Sequence, residues 1–126
     1  MRRWNGWGET HNSEALKPEA LTFLREAVGQ ATPPTDASWD SALAQVAKQP
    51  TRLPPHALID TSDAARLRAS FGQSAWDWIR LRFGQIGRVT DGVAHPETAQ
   101  DVQTLLAWAK QHGVHVLPCG GATSVA

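Results

Sequence analysis

Apolar side chains recur at helical spacing through the first two thirds of the chain, and Pro, Gly and Ser separate the periodic stretches. Pro18 and Glu19 suit a first helical turn, because a proline there loses no hydrogen bond and a carboxylate meets the positive end of the helix dipole. Leu21, Leu24 and Val28 then share one face, and Gly29 can end the element. The pattern predicts a first helix over residues 18–28.

Three more helices are predicted before residue 85. The second begins with Ser38 as its cap and stops before Pro50. The third covers residues 62–71 and the fourth residues 74–83, each followed by a glycine that can adopt the left-handed geometry common after helices. Prolines between the second and third helices favour extended backbone there.

The pattern changes after residue 88. Residues 89–94 read as a strand, Pro96 and Glu97 open another helix, and residues 114–117 read as a second strand. A strand-helix-strand connection of this length is expected to be right-handed, with parallel strands. The predicted fold class is therefore α/β (α+β overall), with a helical region at 1–87 and the start of an α/β domain at 88–126.

A glycine-containing loop, Pro118-Cys119-Gly120-Gly121-Ala122-Thr123-Ser124, follows the second predicted strand. Glycines can turn backbone N–H groups toward an anion, since no Cβ blocks its approach, so the loop predicts a phosphate site. The same residues also suit an ordinary tight turn. Two nucleotide motifs are excluded: Ala122 stands where the mononucleotide P-loop needs a lysine, and the third glycine of GxGxxG is missing.

Composition narrows the class of protein. The 126 residues are 41% hydrophobic and 19% charged, with a formal net charge of +0, so the chain lacks the basic footprint of a nucleic-acid partner. No apolar window reaches the ~18 residues of a transmembrane segment. The single cysteine excludes an internal disulfide and fits a reducing compartment, so we expect a cytoplasmic protein.

Four segments together resemble a known family: WNGWG at residues 4–8, RASFGQS at 68–74, DGVAHP at 91–96 and PCGGATSV at 118–125. Their order and spacing are similar to those of alkylglycerone-phosphate synthases and bacterial FAD-linked oxidases. These are flavoproteins of the vanillyl-alcohol-oxidase / p-cresol methylhydroxylase (PCMH) type. The main departure is Ala122, where the family usually has a third glycine.

The resemblance implies non-covalently bound FAD, with residues 118–124 around its pyrophosphate and residues 88–126 as the start of a PCMH-type FAD-binding domain. The implied enzyme exchanges the acyl chain of an acylated dihydroxyacetone phosphate for a fatty alcohol, a step of ether-lipid synthesis. The alternatives are an FAD-linked dehydrogenase of a 2-hydroxy acid, such as glycolate or D-lactate, and an inactive truncated fragment. The substrate is thus a small molecule, either lipid-like or a 2-hydroxy acid.

Family members are several times longer, so the chain is expected to be an N-terminal portion, with the catalytic residues beyond Ala126 and none assignable here. A homodimer is possible for the full-length protein. Within the loop, Cys119 is expected to be a small apolar filler and not a flavin tether or redox thiol. His112 and His115 are expected to bind no metal, because a helix end and a strand need not bring them together and no third ligand is near.

The aromatic and basic side chains have two readings each. Trp4 and Trp7 are predicted to dock an N-terminal arm onto the protein, although they could instead line a substrate channel. Trp76 and Trp78 lie on more than one face of the fourth helix, as expected if both sides are covered or if a partner surface is missing. Three arginines of the third and fourth helices are predicted to be solvated charges rather than substrate ligands: Arg68, Arg80 and Arg82.

Overall fold

The computed structural model of the protein describes residues 3–11, 15–30, 32 and 35–121. These ranges contain five helices and one two-stranded sheet, so the mixed fold class predicted from the sequence is confirmed. The helices are α1 (Pro18–Val28), α2 (Trp39–Val46), α3 (Asp63–Ala69), α4 (Ala75–Arg82) and α5 (Ala99–His112), and the strands are β1 (Ile59–Asp60) and β2 (Val93–Ala94).

Serine caps begin three of the helices, and the sequence predicts the one at Ser38. The side chains of Ser38, Ser62 and Ser74 each accept a hydrogen bond from the backbone N–H three residues later. The third helix is shorter than predicted, since it ends at Ala69. The last helix begins later than predicted, at Ala99, because Thr98 caps it and leaves Pro96 outside.

The sheet differs from the prediction. Residues 89–94 contribute only the two residues of β2, which pairs antiparallel with β1, a strand that the sequence analysis missed. Residues 114–117 form no strand in the described part of the chain. The parallel strand-helix-strand unit is therefore not formed among the described residues. Neither predicted strand has a parallel neighbour there. An apolar pattern indicates a strand but does not show which strand it pairs with.

The core lies between α2, α3, α4 and the segment that follows α4. Its buried side chains are Ala42, Val46, Leu67, Trp78, Leu81, Ile86 and Val89, with Trp4, Trp39, Leu43 and Phe71 packed around them. In α5, by contrast, Ala109 is the one buried residue, and α1 buries none. Helices α2, α3 and α4 thus pack around a common core, to which the amphipathic helices α1 and α5 contribute little.

None of the helices in the described part of the chain combines the length and apolar character that crossing a bilayer requires.

Candidate functional site

The described part of the glycine loop, residues 118–121, is exposed. Residues 114–121 leave α5 without regular secondary structure, and Leu117 is 90% exposed. Among the described residues, the backbone N–H groups of Cys119, Gly120 and Gly121 donate to no other group. Three neighbouring donors are thus available to a ligand, since folding of the described chain does not use them.

Gly120 is not required by the packing of the described chain. A Cβ built at this position would meet no atom within 4 Å, and its φ lies outside the positive range that L-residues avoid. Three of the predicted contact residues, Ala122, Thr123 and Ser124, lie outside the described residues. A side chain at position 120 would therefore matter only for a group that approaches the loop.

The structure corrects the expectation for Cys119. This side chain is exposed, so it does not fill apolar space. Its sulfur lies 3.7 Å from the Gly120 carbonyl oxygen. An exposed thiol within the loop, the single cysteine of the chain, is a chemical reporter of whether the loop is covered.

A capping box fixes the beginning of α5, the helix that carries the loop. The Thr98 hydroxyl accepts from the Asp101 backbone N–H at 3.1 Å, and the Asp101 carboxylate accepts from the Thr98 N–H at 3.0 Å. Hydrogen bonding by Thr98, and by the Glu97 backbone, lowers the pKa of Asp101 because these bonds favour the ionised carboxylate.

Aromatic rings hold the other end of α5. Trp108 lies between His56 and His112, with ring centroids 5.2 and 5.0 Å away. His56 also accepts a hydrogen bond from the Leu58 N–H through Nδ1. Within the described ranges no group of three potential ligands could hold a metal ion. One face of the His112 ring contacts Trp108, and the rest of this side chain is exposed. His115 is exposed as well.

Arg66 is a buried cation that the sequence analysis overlooked. It is 2% exposed, and its guanidinium donates to the Thr90 carbonyl oxygen at 2.9 Å and to the Gln49 carbonyl oxygen at 2.6 Å. It also pairs with Asp63 at 3.2 Å. Every guanidinium nitrogen therefore has a partner, and Arg66 ties α3 to the segment leading into β2.

Side chains on either side of Arg66 bind the same segment. Gln49 donates to the Gly87 carbonyl oxygen at 2.7 Å, and the Ser70 hydroxyl accepts from the Thr90 N–H at 2.8 Å. The segment 87–90 has no strand partner, so these bonds replace the ladder that a sheet would provide.

An ion pair at the surface holds the next residue of this segment, Asp91. The Arg52 guanidinium donates to both carboxylate oxygens of Asp91, and the Arg52 backbone N–H donates to one of them. The hydrogen bonds from Arg52 hold the pKa of Asp91 below its usual range, and those to Asp91 raise the pKa of Arg52. The entry to β2 is therefore fixed from both α3 and the segment after α2.

The two tryptophans of the N-terminal arm each contact a tryptophan of the helical body, although Trp7 stays 63% exposed. Trp4 meets Trp39 edge-on, with centroids 5.5 Å apart, and Trp7 meets Trp78 at 6.0 Å. Between them the buried Asn5 donates to Asp36 at 2.9 Å.

Two of the arginines predicted to be solvated lie exposed on aromatic rings. The Arg68 guanidinium is 4.6 Å from the Trp39 ring centroid, and that of Arg80 is 5.7 Å from the Phe71 centroid. Both arginines are therefore exposed to solvent, as predicted, but each also makes a cation–π contact that was not predicted.

No protein-family model matches the chain. Three curated proteins, each named alkyldihydroxyacetonephosphate synthase, are similar to it. The one from Dictyostelium discoideum is 33% identical over 61 residues, which are 48% of this chain and 10% of that protein. The Caenorhabditis elegans protein is 35% identical over 69 residues, covering 53% of this chain and 12% of that protein. The Trypanosoma brucei brucei protein is 27% identical over 152 aligned positions, covering 98% of this chain and 25% of that protein.

Solved structures agree in fold. A structure titled alkyldihydroxyacetonephosphate synthase, in a P1 crystal form, superposes with a TM-score of 0.70 at 22% identity and covers 98% of this chain and 29% of that one. A second crystal form gives a TM-score of 0.58 at 21% identity. The resemblance to alkylglycerone-phosphate synthases, the same enzymes under another name, is confirmed. The chain spans about a tenth to a quarter of the length of these curated relatives.

Proposed function

We propose that this chain is the N-terminal portion of an FAD-dependent enzyme similar to alkylglycerone-phosphate synthase, and that residues 118–124 bind the FAD pyrophosphate without a covalent link. On this proposal residues 1–87 are a helical region and residues 88–126 begin the FAD-binding domain. The protein would act in the cytoplasm on a lipid-like small molecule, in ether-lipid synthesis. The names of the similar proteins support this reading.

The observation that carries the proposal is the set of unused backbone donors at the loop. The N–H groups of Cys119, Gly120 and Gly121 have no acceptor in the described chain, and Gly120 leaves open space around its Cα. Pyrophosphate oxygens are strong acceptors, and a charge-assisted hydrogen bond to each contributes roughly 1.5–3 kcal/mol when water is excluded. The loop therefore has the donor set and the access that the group requires.

FAD, when bound, supplies the electron-transfer chemistry, and the protein positions it. In this chain the loop would hold the pyrophosphate by backbone N–H groups, with the Thr123 and Ser124 hydroxyls as further candidates. The bonds of Arg66 and Arg52 to the segment 87–91 would fix the strand that enters the same domain. Acid–base and substrate groups would come from further chain.

A chimeric enzyme tests the cofactor. This chain replaces the aligned segment of the Trypanosoma brucei brucei protein, which is 25% of that protein, and the visible spectrum of the purified product is recorded. We expect flavin absorbance that Gly120→Val reduces at least 10-fold, because a Cβ at position 120 obstructs only an approaching ligand. His115→Val is the matched control, since it places the same side chain on the exposed segment before the loop. A folded, colourless chimera would refute the proposal.

Labelling of Cys119 in the chimera and in the isolated 126-residue chain separates this proposal from the alternative of a fragment that binds no cofactor. Cys119 is labelled with a maleimide in the presence and absence of FAD, and its exposure makes the free loop reactive. Because the loop lacks support, we expect FAD to protect Cys119 in the chimera and not in the isolated chain. Protection in both would show that the described chain holds FAD alone.

A further inference from the structure

Few contacts join helix α5 to the helical body. No hydrogen bond or ion pair links it to residues 35–94, all of which the structure describes. Ala109 is its one buried residue, and the half-buried Trp108 next to it contacts the His56 ring. The position of α5 on the body therefore depends strongly on the contact between Trp108 and His56.

A hydrogen bond that requires an unprotonated ring nitrogen holds the His56 ring in place. Nδ1 accepts from the Leu58 N–H at 3.1 Å, so in this arrangement the neutral ring carries its proton on Nε2. The His56 carbonyl oxygen also accepts from the Ile59 N–H at 3.1 Å, and Ile59 begins β1. The ring that contacts Trp108 is thus fixed within the turn that leads into the sheet.

Protonation of His56 is incompatible with this arrangement. Both nitrogens of an imidazolium are donors, so a proton on Nδ1 would face the Leu58 N–H, and the ring has to move. Imidazole side chains change charge between about pH 5 and 8. The carboxylates nearby stay ionised in that range, because hydrogen bonds lower the pKa values of Asp60, Asp91 and Asp101. Within the described residues His56 forms no ion pair with the charged or titratable groups of the surrounding elements, which are Arg52, Asp60, Asp91, His95, Asp101, Lys110 and His112.

Trp108 has a second histidine neighbour, which lies on its own helix. His112 follows four residues later in the last turn of α5, with its ring centroid 5.0 Å from that of Trp108. The helix dipole favours a positive charge at that end, and the indole attracts a protonated ring, so protonation strengthens this contact. Protonation therefore acts on the two histidines in opposite directions, and two cations beside one indole also repel each other.

We propose that His56 is a pH-sensitive contact between α5 and the body. With Nδ1 unprotonated, His56 holds Trp108 against the turn before β1; on protonation Trp108 leaves His56 and keeps its contact with His112. The docked form binds fewer protons than the undocked form, so docking weakens as the pH falls. The glycine loop follows α5, so the same protonation moves the loop relative to the sheet. The contact exists without FAD and does not rest on the proposed function.

NMR spectroscopy of the whole chain between about pH 8 and 5 tests the contact. At the higher pH we expect nuclear Overhauser effects from the Trp108 indole to the rings of both His56 and His112, and at the lower pH only those to His112. The protection of the Leu58 amide against hydrogen exchange should fall at least 10-fold over the same range, whereas that of the α3 amides should stay constant. An equal loss in α3 would show general unfolding and overturn the proposal.

His56→Asn separates titration from the turn. An asparagine side-chain oxygen can accept from the N–H two residues later and does not titrate, so the Leu58 amide should keep its protection at low pH. His95→Gln and His115→Gln are the matched controls, because each removes a histidine that makes no ring contact with Trp108.

Three results would overturn the proposal. The first is an Overhauser effect between His56 and Trp108 that persists at the lowest pH. The second is a pH dependence of Leu58 protection that survives in His56→Asn. The third is a pH dependence that disappears in His112→Gln, because His112 would then be the titrating group that controls the contact.

Discussion

The helical body and the C-terminal part of the chain are built differently. In the body, α2, α3 and α4 surround a core of Val46, Leu67 and Leu81, and Arg66 closes its edge with hydrogen bonds. Beyond β2, α5 buries Ala109 alone, and residues 118–121 of the glycine loop are exposed. The stability of the described chain therefore comes from the body, whereas the candidate ligand contacts lie in a part that contributes little to it.

Because of this difference, the stability of the chain and its binding of a ligand can be changed separately. Substitutions in the body should change the free energy of unfolding, and substitutions in the loop should change ligand binding with little effect on unfolding. The Gly120→Val variant described above belongs to the second kind. The following variants test the first kind, from the largest expected effect to the smallest.

Replacing Arg66 with methionine should destabilise the chain most. The change keeps the apolar stem but leaves the carbonyl oxygens of the half-buried Thr90 and Gln49 without these donors. An unsatisfied carbonyl shielded from water costs about 1–3 kcal/mol, so for these two we expect a loss of about 2–3 kcal/mol in the free energy of unfolding. Urea denaturation followed by tryptophan fluorescence measures it.

Arg80→Met provides the comparison for Arg66, since Arg80 is an exposed arginine whose guanidinium lies on the Phe71 ring. Its loss should cost no more than about 1 kcal/mol. Equal effects of the two variants would show that the buried hydrogen bonds contribute no more than an exposed ring contact.

The docked arm should have an intermediate effect. Asn5 is 3% exposed, accepts from Arg3 at 3.2 Å and donates to Asp36 at 2.9 Å. Asn5→Ala should therefore cost about 1–2 kcal/mol. Asn5→Asp should cost more at neutral pH, because it places a second carboxylate against Asp36. Thermal unfolding of the two variants at pH 7 gives the order, and the reverse order would show that the Asn5 amide is not the donor to Asp36.

The helices of the body could be predicted from the sequence because their signals are local. Ser38, Ser62 and Ser74 are caps whose bonds span three residues, and Gly113 ends α5 in the left-handed conformation. A cap and an apolar stripe lie within one segment of chain, so a single sequence contains both. The large apolar rings of Trp4 and Trp7 predicted their contacts with the body, but not that Trp7 would stay 63% exposed.

The sheet and the buried cation could not be predicted, because both depend on contacts between distant residues. β1 has two residues, and its register pairs Ile59 with Ala94 across the whole of α3 and α4. Arg66 looks like an ordinary helix charge until Thr90 is placed against it, 24 residues away. One signal was available: Arg66 and Ser70 lie four residues apart, on one face of α3, beside the apolar Leu67.

The residues of the candidate site could be predicted from the sequence, but their exposure and hydrogen bonding could not. The glycines of the loop are visible in the sequence, and so is the family resemblance. Two features follow only from the placement of the chain after α5. The Cys119 thiol is exposed, and the N–H groups of residues 119–121 lack acceptors among the described residues. Occupation of the loop by FAD stays a prediction.

The smallest effect concerns the start of α5 and tests the C-terminal part directly. Thr98→Ala removes the hydroxyl that accepts from the Asp101 N–H, and loss of such a cap costs about 1 kcal/mol. Hydrogen exchange of the α5 amides measures it at the helix itself. If α5 is supported mainly by its own cap and by Trp108, its amides should exchange faster in this variant, whereas those of α3 should not change.

The pH dependence of α5 exchange sharpens this expectation. The Thr98 hydrogen bonds lower the pKa of Asp101, so the folded chain favours the ionised carboxylate. The resulting stabilisation is present above the ordinary carboxyl pKa of about 4 and is lost as the pH falls through the lowered value. Asp101→Asn removes the titrating group and should therefore make α5 exchange less dependent on pH between about 5 and 2, after correction for intrinsic rates. Asp91, whose pKa Arg52 lowers, still titrates in that variant, so any remaining acid sensitivity should appear at the entry to β2 and not in α5.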